Sequence, residues 1–207
     1  TAQSPKATAE TPPLTETLST EDIQSLIIPE KVEESTATPL NVKPPAVIDW
    51  FEEIKDKNTE YKLVRADKST CSYPNFATMI AKASRDDLQE LYEVGKIKYA
   101  TLTRPNATKI MMEYLQMMFD PEKEIEHKPY TQVTLWKLFD HNGVYYVIKD
   151  NGRVEFYLVE QKYNHGLKMM KLMLARRLLA NPGSTLAPLL VQKIIDQIHE
   201  LEEKSKK

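Results

Sequence analysis

Three runs of β-branched and aromatic residues, separated by Asn-Gly pairs, form the most regular hydrophobic pattern of the chain and lie within residues 130–162. The pairs are Asn142-Gly143 and Asn151-Gly152. Asn-Gly is the strongest short hairpin signal, because both residues tolerate the positive φ that a type I′ turn requires. The pattern therefore predicts a three-stranded antiparallel meander.

The first strand of this meander shows period-two alternation, in which successive side chains point to opposite faces of a sheet. The alternation predicts that one face carries Val133, Leu135, Lys137 and Phe139. Trp136 is then on the opposite face, and we expect it to be at least partly buried because large apolar residues surround it. Both faces of the meander are thus predicted to be covered.

Elsewhere apolar residues recur at intervals of three and four, which is typical of helices with one buried face. Ser84 with Asp87 three residues later is a helix start, and Asn181-Pro182-Gly183 is a helix stop followed by a turn. The predicted helices cover about 46–57, a short segment after Pro74, 84–98, 105–119, 166–180 and the stretch from 184 onward.

Residues 1–45 differ in composition from the rest of the chain. They hold seven of the 13 prolines, no glycine and no aromatic residue, and seven acidic residues against three lysines. Such a segment cannot bury enough apolar surface to offset its ordering entropy, so we expect it to be disordered. One island, residues 19–29, combines a Ser/Thr cap, early acids and a terminal proline. It is either a frayed turn or a docking motif, for this domain or for a partner.

A strand at 61–66, followed by a polar turn and a short return strand, completes the predicted elements. The predicted fold class is α+β, with helices flanking a small antiparallel sheet built on the meander. The predicted organisation is a disordered tail over 1–45 and a single globular domain over 46–207. A domain of about 150 residues buries enough surface to need no disulfide or metal.

Cysteine content and charge exclude several classes of protein. The lone Cys71 cannot form an internal disulfide or complete a Cys₄ or Cys₂His₂ zinc site, so we expect a reducing intracellular setting, cytoplasmic or nuclear. The net charge of −2 is not typical of a protein that grips phosphate backbones. We expect no membrane span, because no run of about 18 apolar residues occurs. Whether the chain, which starts at Thr1, is a piece of a longer polyprotein or a stand-alone host protein stays open.

The sequence contains no local motif for catalysis, metal binding or cofactor binding. His127, His141, His165 and His199 stand apart from one another and from Cys71, and we expect each of them at the surface. The five glycines are scattered, which excludes a glycine-rich phosphate loop. We therefore expect no catalytic residues, no metal, no cofactor and no enzymatic activity. An enzyme whose catalytic residues are dispersed along the chain is a third alternative.

One basic helix is a candidate nucleic-acid-binding surface, because its cations interleave with apolar residues. The candidate residues are Lys162, Lys168, Lys171, Arg176 and Arg177. At 100° per residue, positions 168 and 171 lie about 60° apart and positions 171 and 176 about 140° apart, a broad arc for following a phosphate backbone. The alternative is that Leu167, Met170 and Leu174 belong to the core and that the cations are the solvated side of the helix.

Six short groups of residues, taken in their order along the chain, form a pattern that can be compared with known protein families. They are YKLVRAD at 61–67, DL at 87–88 with Leu91, MFDP at 118–121, LWKLFD at 135–140 with GV at 143–144, LVEQKY at 158–163 and RRL at 176–178. In this order they resemble an uncharacterised segment of predicted polyproteins of copia-type LTR retrotransposons of flowering plants. The resemblance covers about 60–198. It departs where this chain has Asn142 for a frequent cysteine, and Asn164-His165 for a frequent Pro-Leu.

The resemblance implies a context and no activity or site residues. The leading hypothesis is a non-catalytic structural or protein-interaction domain of plant retrotransposon origin. The alternative is a nucleic-acid-associated domain that uses the basic helix near 162–177. We expect a protein partner of unknown identity, and at most weak contact with nucleic acid; a homo-oligomer stays open.

Overall fold

The computed structural model describes residues 19–30, 43–55, 58–101, 107–121 and 132–206. The predicted disorder of residues 1–18 and 31–42 lies outside the described residues, whereas residues 19–30 contain a helix and a strand. In chain order the elements are α1 (Thr20–Ser25), β1 (Ile27–Pro29), β2 (Val47–Lys55), β3 (Asn58–Arg65), β4 (Thr70–Tyr73), α2 (Phe76–Lys82), α3 (Arg85–Thr101), α4 (Ala107–Phe119), β5 (Val133–Phe139), β6 (Val144–Lys149), β7 (Val154–Leu158), α5 (Leu167–Arg176), β8 (Leu178–Ala180) and α6 (Leu186–Ser205).

Two β-sheets organise these elements. The larger sheet has five strands in the order β1-β8-β5-β6-β7, and the smaller has three in the order β2-β3-β4. Strands β5, β6 and β7 form the predicted antiparallel meander, whereas β8 runs parallel to β5 and β1 runs parallel to β8. Helices pack against both sheets, so the predicted α+β class is confirmed.

Hydrophobic clusters cover both faces of the meander. One face carries Trp136, Tyr145 and Tyr157, which pack with the apolar sides of α5 and α6. The opposite face carries Phe156 and Leu158, which pack with α2, α3, α4 and the small sheet. Trp136 is completely buried, which confirms the expectation of at least partial burial.

The predicted helices at 84–98 and from 184 onward are present as α3 and α6, and α4 ends before Asp120 as predicted. Ser84 acts as the predicted cap, because its Oγ accepts a hydrogen bond from the Asp87 amide at 3.1 Å. The strand near 61–66 and its short return strand are β3 and β4.

The predicted helix over 46–57 is wrong, because this segment forms strand β2. A bulge near the start of β2 is the reason that its apolar residues imitate helical spacing. The extra residue puts Val47 and Trp50, three positions apart, on the same buried face, while Ile48 and Phe51 are exposed. A spacing of three is otherwise a helical signal.

A second bulge, between Val133 and Leu135, changes the predicted faces of β5. Val133 is buried on the same side as Trp136, so its predicted place beside Leu135, Lys137 and Phe139 is wrong. The latter three do share a face and are each half-buried. One inserted residue inverts the alternation on one side of the bulge, because the side-chain period of a strand is two.

The predicted helix over 166–180 is wrong beyond residue 176, because Leu178 and its neighbours form strand β8. Arg177 ends α5 with φ of +58°, a value outside the right-handed helical region. Leu178 and Ala180 are completely buried between β1 and β5. An apolar Leu-Leu-Ala triplet is compatible with a helix or a strand. Here pairing with β1 on one side and β5 on the other stabilises the strand.

Both meander turns end on a glycine with positive φ, +65° at Gly143 and +76° at Gly152. The preceding Asn142 and Asn151 do not have positive φ, so the predicted type I′ geometry is wrong although the hairpins are present. Asn142 is instead buried, and its side-chain amide donates to the Ile80 carbonyl at 2.8 Å. This asparagine joins the first turn to the end of α2.

We expect Gly143→Val and Gly152→Val each to lower the free energy of unfolding by about 1–3 kcal/mol, because a β-branched residue is strained at positive φ. A steric clash does not contribute at Gly152, because an added Cβ would meet nothing within 4 Å. Gly166→Val is the matched control, because Gly166 has φ of −66° and an equally open surrounding. Urea unfolding curves measure all three, and equal losses at the three sites would contradict the assignment of strain.

Candidate protein-interaction site

The basic helix does not present its cations as one free surface. Lys162 pairs with Glu200 at 2.7 Å, and Lys171 pairs with Glu202 at 2.5 Å, so acids of α6 neutralise two of the five candidate residues. Arg176 donates from Nε to a backbone carbonyl of β5 at 3.1 Å. Lys171 and Arg176 therefore help to hold α5 against α6 and β5, whereas Lys162 precedes α5 and ties its loop to α6.

The remaining candidates, Lys168 and Arg177, are exposed. Lys168 borders a shallow groove of about 390 Å³ on the outer side of α5. Met170 and Leu174 are buried beneath the helix, whereas Leu167 is only half-buried. The structure thus matches an amphipathic helix with a core-facing side and a solvated side.

Glu155 is a completely buried carboxylate whose oxygens are both engaged. Its Oε1 accepts from Lys149 at 2.8 Å and lies 3.2 Å from Arg153 Nε, and its Oε2 accepts from the Tyr157 hydroxyl at 2.6 Å. Burial acts to raise the pKa of Glu155, but the hydrogen bonds from Lys149 and Tyr157 outweigh it and hold the pKa below its usual value. This carboxylate is an ion-pair partner within the core.

His165 is buried, so the prediction that it lies at the surface is wrong. Its Nε2 lies 3.1 Å from the Tyr145 hydroxyl, and its ring contacts the Tyr157 ring edge to face at 4.6 Å between centroids. Burial raises the pKa of Tyr145 well above its usual value. His141, by contrast, is exposed in the first meander turn as expected.

A buried ion pair joins the small sheet to α3. Arg65 binds Asp87 with two hydrogen bonds, at 2.7 and 2.8 Å, and donates a third to the Pro45 carbonyl at 2.9 Å. Burial acts to raise the pKa of Asp87, but the bidentate contact with Arg65 outweighs it and the pKa is lowered. Asp87 therefore forms a structural ion pair, in addition to its predicted place at the start of the helix.

The island at residues 19–29 is docked on the domain, so the docking alternative for it is the one that the structure shows. Ser19 and Asp22 form a capping box, with bonds of 2.9 Å from the Ser19 amide to Asp22 and 3.2 Å in the reverse direction. Ile23, Leu26 and Ile27 pack against the cluster beneath α5 and α6. We refer to residues 19–30 as the N-terminal segment.

Main-chain hydrogen bonds fix the register of this segment on β8. Ile27 pairs with Leu178, and the ladder is closed at its two ends. The Leu178 amide donates to the Leu26 carbonyl, and the Glu30 amide donates to the Ala180 carbonyl, each at 2.8 Å. The outer edge of β8 is thus a strand-binding site, which the N-terminal segment occupies in this structure.

A side-chain contact marks the end of the docked strand. Glu30 reaches across β8 to Lys137 of β5, with 2.6 Å between Oε1 and Nζ. Both side chains are partly exposed, at 33% and 22%, so the pair contributes about 0–1 kcal/mol and adds specificity more than affinity. The acceptor therefore recognises an apolar strand that ends in an acid.

Pro29 occupies the position of β1 whose backbone nitrogen points away from β8. The Leu26 carbonyl and the Glu30 amide face β8. Because successive residues of a strand direct their backbone groups to opposite sides, the backbone groups of Ile27 and Pro29 face outward. A proline lacks an N–H, and sheets tolerate it where no ladder bond is required. The outer edge of β1 therefore lacks one donor.

The edge strand of the small sheet is protected in another way. The Val47 amide donates to Glu90 at 2.7 Å, the Trp50 amide donates to Asp49 at 2.7 Å, and Lys98 Nζ binds the Trp50 carbonyl. Side chains thus occupy the backbone groups that an added strand would need. Side chains therefore protect the start of this edge, whereas the edge of β8 accepts a strand.

Neither similarity to known proteins nor the arrangement of the described residues indicates a family, a metal site or a membrane span. No protein-family model, no curated protein and no solved structure matches the chain. Within the described ranges, no group of three or more His, Cys, Asp or Glu side chains could hold a metal ion. None of the helices in the part of the chain that the structure covers is long and apolar enough to cross a membrane.

Sequence reasoning missed the acceptor strand and the buried histidine for different reasons. The acceptor depends on pairing between residues about 150 positions apart, and no local pattern encodes that contact. For His165 a sequence signal exists, because ring side chains at 163 and 165 alternate with Asn164 and Gly166, as in an extended segment with one buried face. Tyr163 and His165 are indeed buried.

We expect Asp87→Asn to lower the free energy of unfolding at pH 7 by about 3–5 kcal/mol, because it leaves Arg65 buried without its partner. The pKa of Asp87 is lowered from 3.8 by folding, so its stabilising effect is present above that value and is lost as the pH falls through the folded-state pKa. The difference between variant and parent should therefore shrink in urea unfolding at about pH 2.

Asp86→Asn is the control for this experiment, because Asp86 pairs with Lys43 in an exposed contact with both side chains more than half accessible. It should change the free energy of unfolding by less than about 1 kcal/mol. A loss for Asp87→Asn that stays constant from pH 7 to strong acid would contradict the role given to the ion pair.

Proposed function

We propose that this chain is a non-catalytic protein-interaction domain of plant retrotransposon origin, and that the outer edge of β8 is its interaction site. The observation that carries the proposal is the docking of the N-terminal segment as a parallel strand on β8. The resemblance of residues 60–198 supports the origin. Addition of an extended segment to a sheet edge is a widespread mode of peptide recognition.

The chemistry of the acceptor supports recognition of a protein segment. Backbone groups of Leu178 and Ala180 provide affinity that is independent of sequence, and the hydrophobic cluster takes the apolar side chains of the incoming strand. Lys137 then selects a carboxylate one residue beyond the strand. The expected ligand is an extended segment with apolar residues followed by proline and an acid.

The placement of reactive groups supports a non-catalytic role. Glu155 and Asp87 are the buried carboxylates described above, and cations or hydroxyls saturate each of them. His165 lies among tyrosine rings inside the core. Groups that could transfer protons thus serve packing and ion pairing, while an ordered strand-binding edge lies at the surface.

A peptide-binding experiment tests the proposal. In the full chain, Ile27→Asp should release the N-terminal segment, because it places a charge against the hydrophobic cluster. A fluorescent peptide of residues 19–30 should then bind this variant at least tenfold more tightly than the parent. The parent competes with its own segment at an effective concentration on the order of mM.

Two controls accompany the titration. The peptide that carries Ile27→Asp should bind neither protein, and the chain with Ile28→Ser should behave like the parent, because Ile28 is 37% exposed and faces away from that cluster. If Ile27→Asp prevents folding, Glu30→Lys is the second variant that weakens the docked segment. Equal binding of the peptide to a folded released variant and to the parent would exclude β8 as the interaction site.

The nucleic-acid alternative predicts a different result. Because Lys162 and Lys171 pair with acids of α6, we expect no more than weak binding of DNA or RNA, on the order of 10⁻⁴–10⁻⁶ M at physiological salt. Fluorescence anisotropy across a salt series measures it. Submicromolar binding at 200 mM salt that is lost in Lys168→Glu plus Lys171→Glu would favour the alternative over the interaction domain.

A further inference from the structure

We propose that the segment exchanged at the β8 edge is the N-terminal segment of a second copy of this chain. The inference rests on the proposed function of that edge as a binding site for protein segments. It adds the identity of the partner and predicts self-association by reciprocal exchange of residues 19–30.

The first argument is the fit of the ligand. The N-terminal segment contributes the capping box, three apolar side chains on the cluster, the main-chain ladder of a three-residue strand and the Glu30 contact with Lys137. A second copy offers the same groups in the same order. Exchange therefore replaces every contact in kind, which is the condition under which exchange of an element between protomers is inexpensive.

The second argument is that few buried contacts hold the docked segment on the domain. No residue of α1 is fully buried, and Ile23, Leu26 and Ile27 are each half-buried. The ladder on β8 has three residues. Segments with few buried contacts open locally at a lower free energy than the core does, so β8 is vacated while the rest of the domain stays folded.

The third argument is reach. Residues 31–42 separate Glu30 from Lys43. Twelve residues span at most about 40 Å when fully extended. A domain of about 160 residues has a radius of gyration of about 15 Å and is therefore about 40 Å across. The connection is long enough for the N-terminal segment to reach the β8 edge of a neighbouring copy.

Concentration decides between the two arrangements. A tethered segment experiences an effective concentration on the order of mM, so the docked form within one chain prevails in dilute solution. Exchange prevails when copies are held at comparable local concentration, or when the contact within one chain is weakened relative to the contact between chains. The ion pair between Glu30 and Lys137 offers a way to create that difference.

The experiment uses two full-length variants with reversed charges at this pair. Glu30→Lys places two cations at the contact within its own chain, and Lys137→Glu places two anions there. Each variant alone repels its own segment and every other copy of itself. In a mixture, each N-terminal segment meets an opposite charge on the other variant. Both substitutions are at partly exposed side chains, so we expect both variants to fold.

We expect the mixture to sediment as a complex of twice the monomer mass, with a dissociation constant at least tenfold lower than for self-association of either variant alone. The double variant E30K/K137E restores the pair within one chain and should stay monomeric at the same concentration. Ile27→Asp added to both partners should abolish the complex, because neither chain then has a competent segment.

A cross-link identifies the contact in the complex. Ile28 and Leu179 are register partners, so a cysteine at 28 in one variant and at 179 in the other should be joined by a short bismaleimide, in a background with Cys71→Ser. Recovery of a cross-linked heterodimer supports exchange at β8, and a complex without this cross-link overturns it.

The outcomes separate this inference from the proposed function. If the variants stay monomeric in the mixture while the free peptide binds the released chain, the second copy is not the partner and the segment-binding function stands. If the peptide also fails to bind, both proposals fail.

Discussion

The three antiparallel strands of the meander contribute side chains to two hydrophobic clusters, one on each face. Tyr145 and Tyr157 belong to the cluster beneath α5 and α6, while Val144 and Phe156, one position earlier on the same strands, belong to the cluster beneath α4. Apolar side chains on both faces of β6 and β7 therefore have packing partners. The other helices and the small sheet are placed by the need to cover these two faces, and β8 and β1 extend the sheet sideways under the α5–α6 layer.

Buried charge in this fold is used to orient elements. The Arg65–Asp87 pair fixes β3 to the start of α3 and also holds the chain at Pro45. Lys149 and the Tyr157 hydroxyl compensate the buried charge of Glu155. A buried pair is costly to break because removal of one partner leaves the other unpaired and desolvated. These groups restrict the alternative arrangements open to the chain, which is a structural role.

The parts of the fold that could be predicted are those whose signals are local. The Asn-Gly pairs indicate the meander and the Ser84 cap indicates the start of α3. In both cases a short stretch of sequence is sufficient to predict the element. The sequence predicts a helix at β2 because a bulge, which depends on pairing with β3, puts Val47 and Trp50 on one face. Strand β8 and the N-terminal segment form because they pair with each other, and neither has a decisive local pattern. The candidate cations were identified by composition, but their neutralisation by α6 depends on tertiary structure.

The proline at the end of β1 sets the stoichiometry of strand addition. Once the N-terminal segment is seated on β8, the missing donor of Pro29 leaves an edge on which a further strand cannot complete its ladder. On the smaller sheet, contacts of Glu90, Asp49 and Lys98 with the backbone of β2 likewise hinder strand addition at the start of that edge. One acceptor therefore takes one segment and then closes. The covalent structure of Pro29 therefore disfavours growth of a continuous β-ladder outward from β1.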